Sequence, residues 1–143
     1  MNLFAAIMFA WTAPQKPTLD FMRLIKAVEL VEASSVRHVS KTGARGIYQI
    51  KESTWRQYSE RPHEWANELS YVAQAEARRV ALRHAHWIVE SAFPALGLPV
   101  TPYSFALVWH PGFGNVAKLN LSPANVDYAK RFENLYEELE QQK

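Results

Sequence analysis

The chain has 143 residues, 48% of them hydrophobic and 21% charged, with a net charge of +2, which suits one globular domain with a real core. Eight prolines and five glycines are too few for a collagen-like or disordered chain, and a weak positive charge without a basic stripe of interleaved aromatics gives no reason to expect nucleic acid as a partner. There is no cysteine, so disulfides, Cys-based zinc sites and thiol catalysis are excluded.

The chain opens with MNLFAAIMFAWTA. Leu3 to Trp11 is an apolar run of the length found in the core of an export signal, and residues 1–18 read as a signal peptide with a short linker, PQKPT. The other reading of this run is an apolar segment packed on the domain. It is too short to span a bilayer, so no integral membrane span is expected. Residues 19–143 then form a single domain.

Asp20 is a good N-cap for a helix from Phe21 to Ala33. Phe21, Leu24, Ile25, Val28 and Val31 recur at helical spacing and form one apolar stripe. Glu32 falls near the middle of that stripe, Glu29 at its edge and Leu30 on the far side. A carboxyl set among apolar groups resists ionisation, and a Glu that keeps its proton near neutral pH can act as a general acid. The plain reading of the same position is a Glu in the last turn that swings out to solvent.

Ser34 to Arg45 is polar and irregular, with Gly43 and Gly46 marking tight backbone. An extended region or small β-hairpin is expected near residues 36–50. Ser53 is placed to cap a short helix from Thr54 to Tyr58. A long Ala-rich helical pattern runs from Glu64 to Ala92, with Trp65, Leu69, Val72, Ala77, Val80, Trp87 and Ile88 as its buried side. Thr101-Pro102 and Ser122-Pro123 are cap-and-proline starts for helices over 103–110 and 124–139. The last of these packs through Val126, Ala129, Phe132, Leu135, Tyr136 and Leu139. The expected fold class is therefore mainly α.

Two further segments carry a resemblance. Ser40-Lys41-Thr42-Gly43-Ala44-Arg45-Gly46-Ile47-Tyr48-Gln49-Ile50 resembles the Ser-x-x-Gly-Ala-x-Gly-aromatic/Met-Gln-Ile segment that follows the catalytic helix in lysozyme-like lytic transglycosylases. Ala106-Leu107-Val108-Trp109-His110-Pro111-Gly112-Phe113-Gly114-Asn115-Val116 resembles the Ala-Ala-Tyr-Asn-x-Gly-x-Gly-x-Val segment of the same family, with Trp109 where the family has Tyr and His110 where it has Asn. Tyr128 matches a Tyr that faces the cleft in that family. Glu32 lies eight residues before Ser40, one short of the family spacing, and Ala33 stands where the family has Ser.

The resemblance implies a lysozyme-like helical domain that cleaves the β-1,4 bond between N-acetylmuramic acid and N-acetylglucosamine in peptidoglycan glycan strands. It implies Glu32 as the catalytic acid and base, and Ser40, Tyr48, Gln49, Trp109, His110 and Tyr128 as substrate-binding residues. An exported protein of the periplasm or cell envelope, working as a monomer, is the corresponding expectation. Glycosidases usually use two carboxylates, but no acid lies between Glu32 and Glu52. A single-acid mechanism fits better, and the resemblance implies one, with a 1,6-anhydro product. A hydrolytic muramidase and a non-catalytic peptidoglycan-binding module of the same fold remain as alternatives, and Glu29 remains as a second candidate acid. No cofactor is expected, and no metal site either: His84 and His86, two apart on a helix, face different directions, and His38 and His63 are isolated.

Overall fold

A computed structural model describes residues 8–10 and 18–142. Most of them are helical, and no sheet occurs among them. Helix α1 spans Phe21–Glu32, α2 Glu52–Tyr58, α3 Tyr71–Trp87, α4 Phe93–Leu96, α5 Pro102–Trp109, α6 Phe113–Ala117 and α7 Pro123–Gln141. A 3₁₀ helix over His63–Asn67 precedes α3, and a π-helical stretch over Ile88–Ala92 joins α3 to α4. Among the described residues, no helix is long and apolar enough to cross a membrane.

The starts of the helices follow local chemistry. The Asp20 carboxylate accepts from the Arg23 backbone N–H at 2.9 Å, and the Thr101 hydroxyl from that of Ser104 at 3.0 Å. Ser122 and Asn125 close a reciprocal capping box ahead of Pro123. Each satisfies a donor that the first turn of a helix leaves without an intrahelical partner.

The core forms where α7 packs against both α1 and α5. Leu24, Ile25, Ala27, Val28 and Val31 bury the stripe of α1. α5 is buried from Pro102 to Val108, as befits a helix apolar on nearly every side. From α7, Val126, Tyr128, Ala129, Phe132 and Tyr136 are buried, while Leu135 and Leu139 pack against the core from its margin. Phe105 stacks on both Trp109 and Phe132, with ring centres 5.5 Å apart in each pair.

Several expectations change. The segment from Glu64 to Ala92 is not one helix. Ser70 caps α3 through its hydroxyl, which accepts from Ala73 N–H at 3.2 Å, and the turn before it is 3₁₀. Leu69 and Val72, expected on the buried side, are 60% and 64% exposed. The small side chains Ala73, Ala77, Ala81 and Ala85 line the buried face with Val80 instead, which lets the helix pack closely. α2 begins at Glu52, so Ser53 is inside the helix and Lys51 occupies the N-cap without a side-chain cap bond.

The extended region near 36–50 is reduced to two isolated antiparallel bridges, Val39 with Arg45 and Arg45 with Ile50. Gly46 holds a φ of +78°, and a Cβ there would lie 2.0 Å from the Ala66 carbonyl oxygen. Only glycine allows this loop to close on the 3₁₀ helix.

Of the apolar segment at the start of the chain, residues 8–10 are described. They are helical, Ala10 is buried, and Phe9 packs on Tyr103 with ring centres 4.7 Å apart. The rest of the proposed signal segment, and the linker over residues 14–17, lie outside the described residues.

Candidate functional site

The last turn of α1 delivers Glu32 to the wall of a cavity of about 640 Å³. Two stretches of chain line it. One is the loop from Ser34 to Gln49, which contributes Ser34, His38, Ser40, Thr42, Ala44 and Gln49; the other runs from α6 to the first turn of α7 and brings Asn115, Asn120, Leu121, Ser122 and Asn125. Trp109, His110 and Pro111, at the end of α5, and Lys51 complete the lining. A second cavity of about 310 Å³ shares Gln49, Lys51, Trp109, His110 and Pro111 with the first, so the two form one groove. Its far half is aromatic, with His84, Trp87 and Phe113.

Glu32 is half-buried, and burial pushes its carboxyl up to about 7. A low-dielectric setting disfavours the charged form. Two smaller effects act the other way: the Tyr128 hydroxyl donates to Glu32 Oε2 at 3.4 Å, and the Arg131 guanidinium lies nearby. Tyr128 is itself buried, and burial together with the facing carboxylate raises its phenol well above the usual value. The hydroxyl therefore stays protonated and acts as donor.

His110 stacks on Tyr128, with ring centres 4.0 Å apart and planes 11° from parallel. Burial, Lys51 and Arg131 together lower the His110 imidazole below its ordinary value.

The backbone around the cavity carries local strain. Ala33, directly after Glu32, closes α1 at φ 49°, and its N–H bonds the Glu29 carbonyl at 3.0 Å. Gln49 holds φ 50° and Leu119, next to Asn120, holds φ 57°. All three are non-glycine residues in a region that costs about 1–3 kcal/mol each, and all three lie on or beside the cavity wall.

The structure thus brings Glu32, Ser40, Gln49, Trp109 and His110 into the lining of one cavity and sets the Tyr128 hydroxyl against Glu32. Ser40 also serves the loop: its hydroxyl accepts from Ala44 N–H at 3.0 Å and lies 3.1 Å from Thr42 Oγ1. Gln49 donates through Nε2 to the Gly46 carbonyl at 2.7 Å.

Tyr48, expected to bind substrate, does not line the cavity. It is a core residue, 3% exposed, and its hydroxyl donates to Glu29 Oε1 at 2.9 Å. Both residues lie in the turn between Arg45 and Ile50, where Gln49 takes a φ of 50°; Gln49 lines the cavity while Tyr48 is buried beneath it. The same contact separates the two candidate acids by position. Glu29 is tied to Tyr48 and to Lys26, at 3.0 Å, and does not line the groove; Glu32 does.

Sequence reasoning gave no site role to Lys51, His38 and the three asparagines: His38 and Asn120 sit in irregular loops, and Lys51, Asn115 and Asn125 sit in short helices or at helix starts, where no periodicity marks a facing side. Trp87 carried a signal as a large aromatic but was placed in the core. His84 is held by Tyr58, whose hydroxyl lies 3.1 Å from Nδ1, and burial lowers its imidazole to about 4. It is a neutral wall group. Among the described residues, no group of three or more His, Asp or Glu is arranged to hold a metal ion.

Comparison with protein-family models, with curated proteins and with solved structures finds no match.

Proposed function

We propose that the protein is a lysozyme-like lytic transglycosylase that cleaves peptidoglycan glycan strands at the β-1,4 bond between N-acetylmuramic acid and N-acetylglucosamine. One observation carries the reading. Glu32 is the sole carboxylate among the residues lining either half of the groove, and it keeps its proton to about pH 7. Two-carboxylate glycosidases hold their second acid across the scissile bond; here that position falls to amides, hydroxyls and imidazoles. The motif resemblance around Ser40–Ile50 and Ala106–Val116 supplies the substrate class.

In this reading the Glu32 carboxyl first gives its proton to the glycosidic oxygen as the bond to the anomeric carbon breaks. The carbonyl of the neighbouring N-acetyl group on the sugar stabilises the developing positive charge. The Glu32 carboxylate then takes the proton of the C6 hydroxyl, whose oxygen bonds to the anomeric carbon and yields a 1,6-anhydro ring. Tyr128 steadies Glu32 in its charged interval, because a donor on the carboxylate favours that form. Ser40 and Gln49 are placed for polar substrate groups, and Trp109 for a sugar face. The reading goes with an exported protein of the cell envelope, where that substrate lies, acting as a monomer.

The chemistry of the product ends tests the reaction. Glycan strands treated with the protein are reduced with borohydride and analysed by mass spectrometry. Non-reducible anhydro ends are the expected result. Reducible ends would assign attack to water and make the protein a muramidase.

A further inference from the structure

Lys51 stands where the two halves of the groove meet. It is the only Lys or Arg among the residues lining either cavity. The adjacent carboxylate is unavailable to it: Glu52 accepts from Arg56 Nε at 2.9 Å. Among the described residues no carboxylate pairs with Lys51. The one acid in the groove, Glu32, lines the first cavity outside the stretch that the two share; it is half-buried and accepts from Tyr128. The groove therefore presents an uncompensated positive charge between an amide-rich half and an aromatic half. A cleft lined by one sign of charge attracts the opposite sign, and an ammonium answers a carboxylate with a charge-assisted hydrogen bond.

We propose that Lys51 is a specificity-determining residue: it pairs with a carboxylate borne by the glycan strand, so that the groove takes an acidic glycan in preference to a neutral one. This rests on the glycan-cleaving reading and deepens it. A neutral N-acetylglucosamine polymer offers the same ring faces to Trp109 but nothing to Lys51. On a peptidoglycan strand the carboxylate has two sources, the lactyl ether of a muramic acid without its peptide or the acidic groups of an attached peptide.

The test measures binding by calorimetry with the full chain carrying Glu32→Gln, which stops turnover, with and without Lys51→Met. Three ligands are compared: neutral N-acetylglucosamine oligomers, peptide-free strands with lactyl carboxylates, and strands with intact peptides. The expected result is that Lys51→Met lowers the ratio of acidic-strand to neutral-oligomer affinity about fivefold, the size of a partly screened ion pair. The loss shrinks at high salt, and Lys51→Glu enlarges it. A loss confined to peptide-free strands names the lactyl carboxylate, and one confined to peptide-bearing strands names the peptide. An unchanged ratio in a folded Lys51→Met protein, checked by circular dichroism, overturns the assignment while leaving the glycan reading standing. Absence of binding to all three ligands before Lys51 is altered overturns both.

Discussion

The hydroxyl of Tyr128 on α7 reaches the Glu32 carboxylate at the end of α1, 3.4 Å away and 96 residues distant in the chain. This contact pulls the Glu32 carboxyl down while burial pushes it up, and burial wins, leaving it at about 7. Removing the hydroxyl removes this downward influence and leaves that of Arg131. Tyr128→Phe is therefore expected to raise the Glu32 titration midpoint by about half a unit. Carbon-13 NMR of the glutamate carboxyls would follow it. The high-pH limb of the activity profile should move upward with it, because the acid keeps its proton longer.

A raised carboxyl also costs stability once it ionises. The folded value of about 7 exceeds the ordinary 4.5, so the folded state holds a proton that the unfolded state has lost. Stability is full below about 4.5 and falls as pH rises towards 7. For this partly solvated group the loss is on the order of 2 kcal/mol. Thermal melts at pH 4.5 and 8 should show Glu32→Gln less sensitive to this rise than the parent, and more stable than it at pH 8.

Tyr48 gives the opposite pairing of effects. Its hydroxyl serves Glu29 in the core and does not reach the groove. Tyr48→Phe should lower stability by about 1–2 kcal/mol and leave substrate affinity near that of the parent. Denaturant titration beside a glycan-binding measurement separates the two.

Two glycines of the same loop predict different costs. Both hold positive φ, Gly43 at +86° and Gly46 at +78°, but a Cβ at Gly43 meets nothing within 4 Å while one at Gly46 meets the Ala66 carbonyl. Gly43→Ala should cost about 1 kcal/mol of backbone strain. Gly46→Ala should cost on the order of 3 kcal/mol, because the loop must also leave the 3₁₀ helix. Melting temperatures of the two variants would show the gap.

Much of the helical fold was legible because caps and periodicity speak locally. Asp20, Thr101 and Ser122 each announce a helix, and each accepts the bond expected of it. The break between the 3₁₀ helix and α3 was hidden because an Ala-rich run looks helical throughout. The true start is set by Ser70 and by the outward turn of Leu69 and Val72. The π-helical stretch at Ile88–Ala92 left no sequence signal that we could read. At the site, Glu32 was legible because a carboxyl on an apolar stripe is a local anomaly. Its tie to Tyr128 followed only by resemblance, and the wall with Asn115, Asn120 and Asn125 depends on how the stretch from α6 to α7 meets the loop after α1.

The most direct test of the central claim is release of soluble muropeptides from purified peptidoglycan by the intact protein, Glu32→Gln and Glu29→Gln, each shown to be folded. The account predicts release by the intact protein and by Glu29→Gln, though that variant loses stability with its bonds to Tyr48 and Lys26, and none above background by Glu32→Gln. Release that survives Glu32→Gln, or no release by the intact protein, would contradict it.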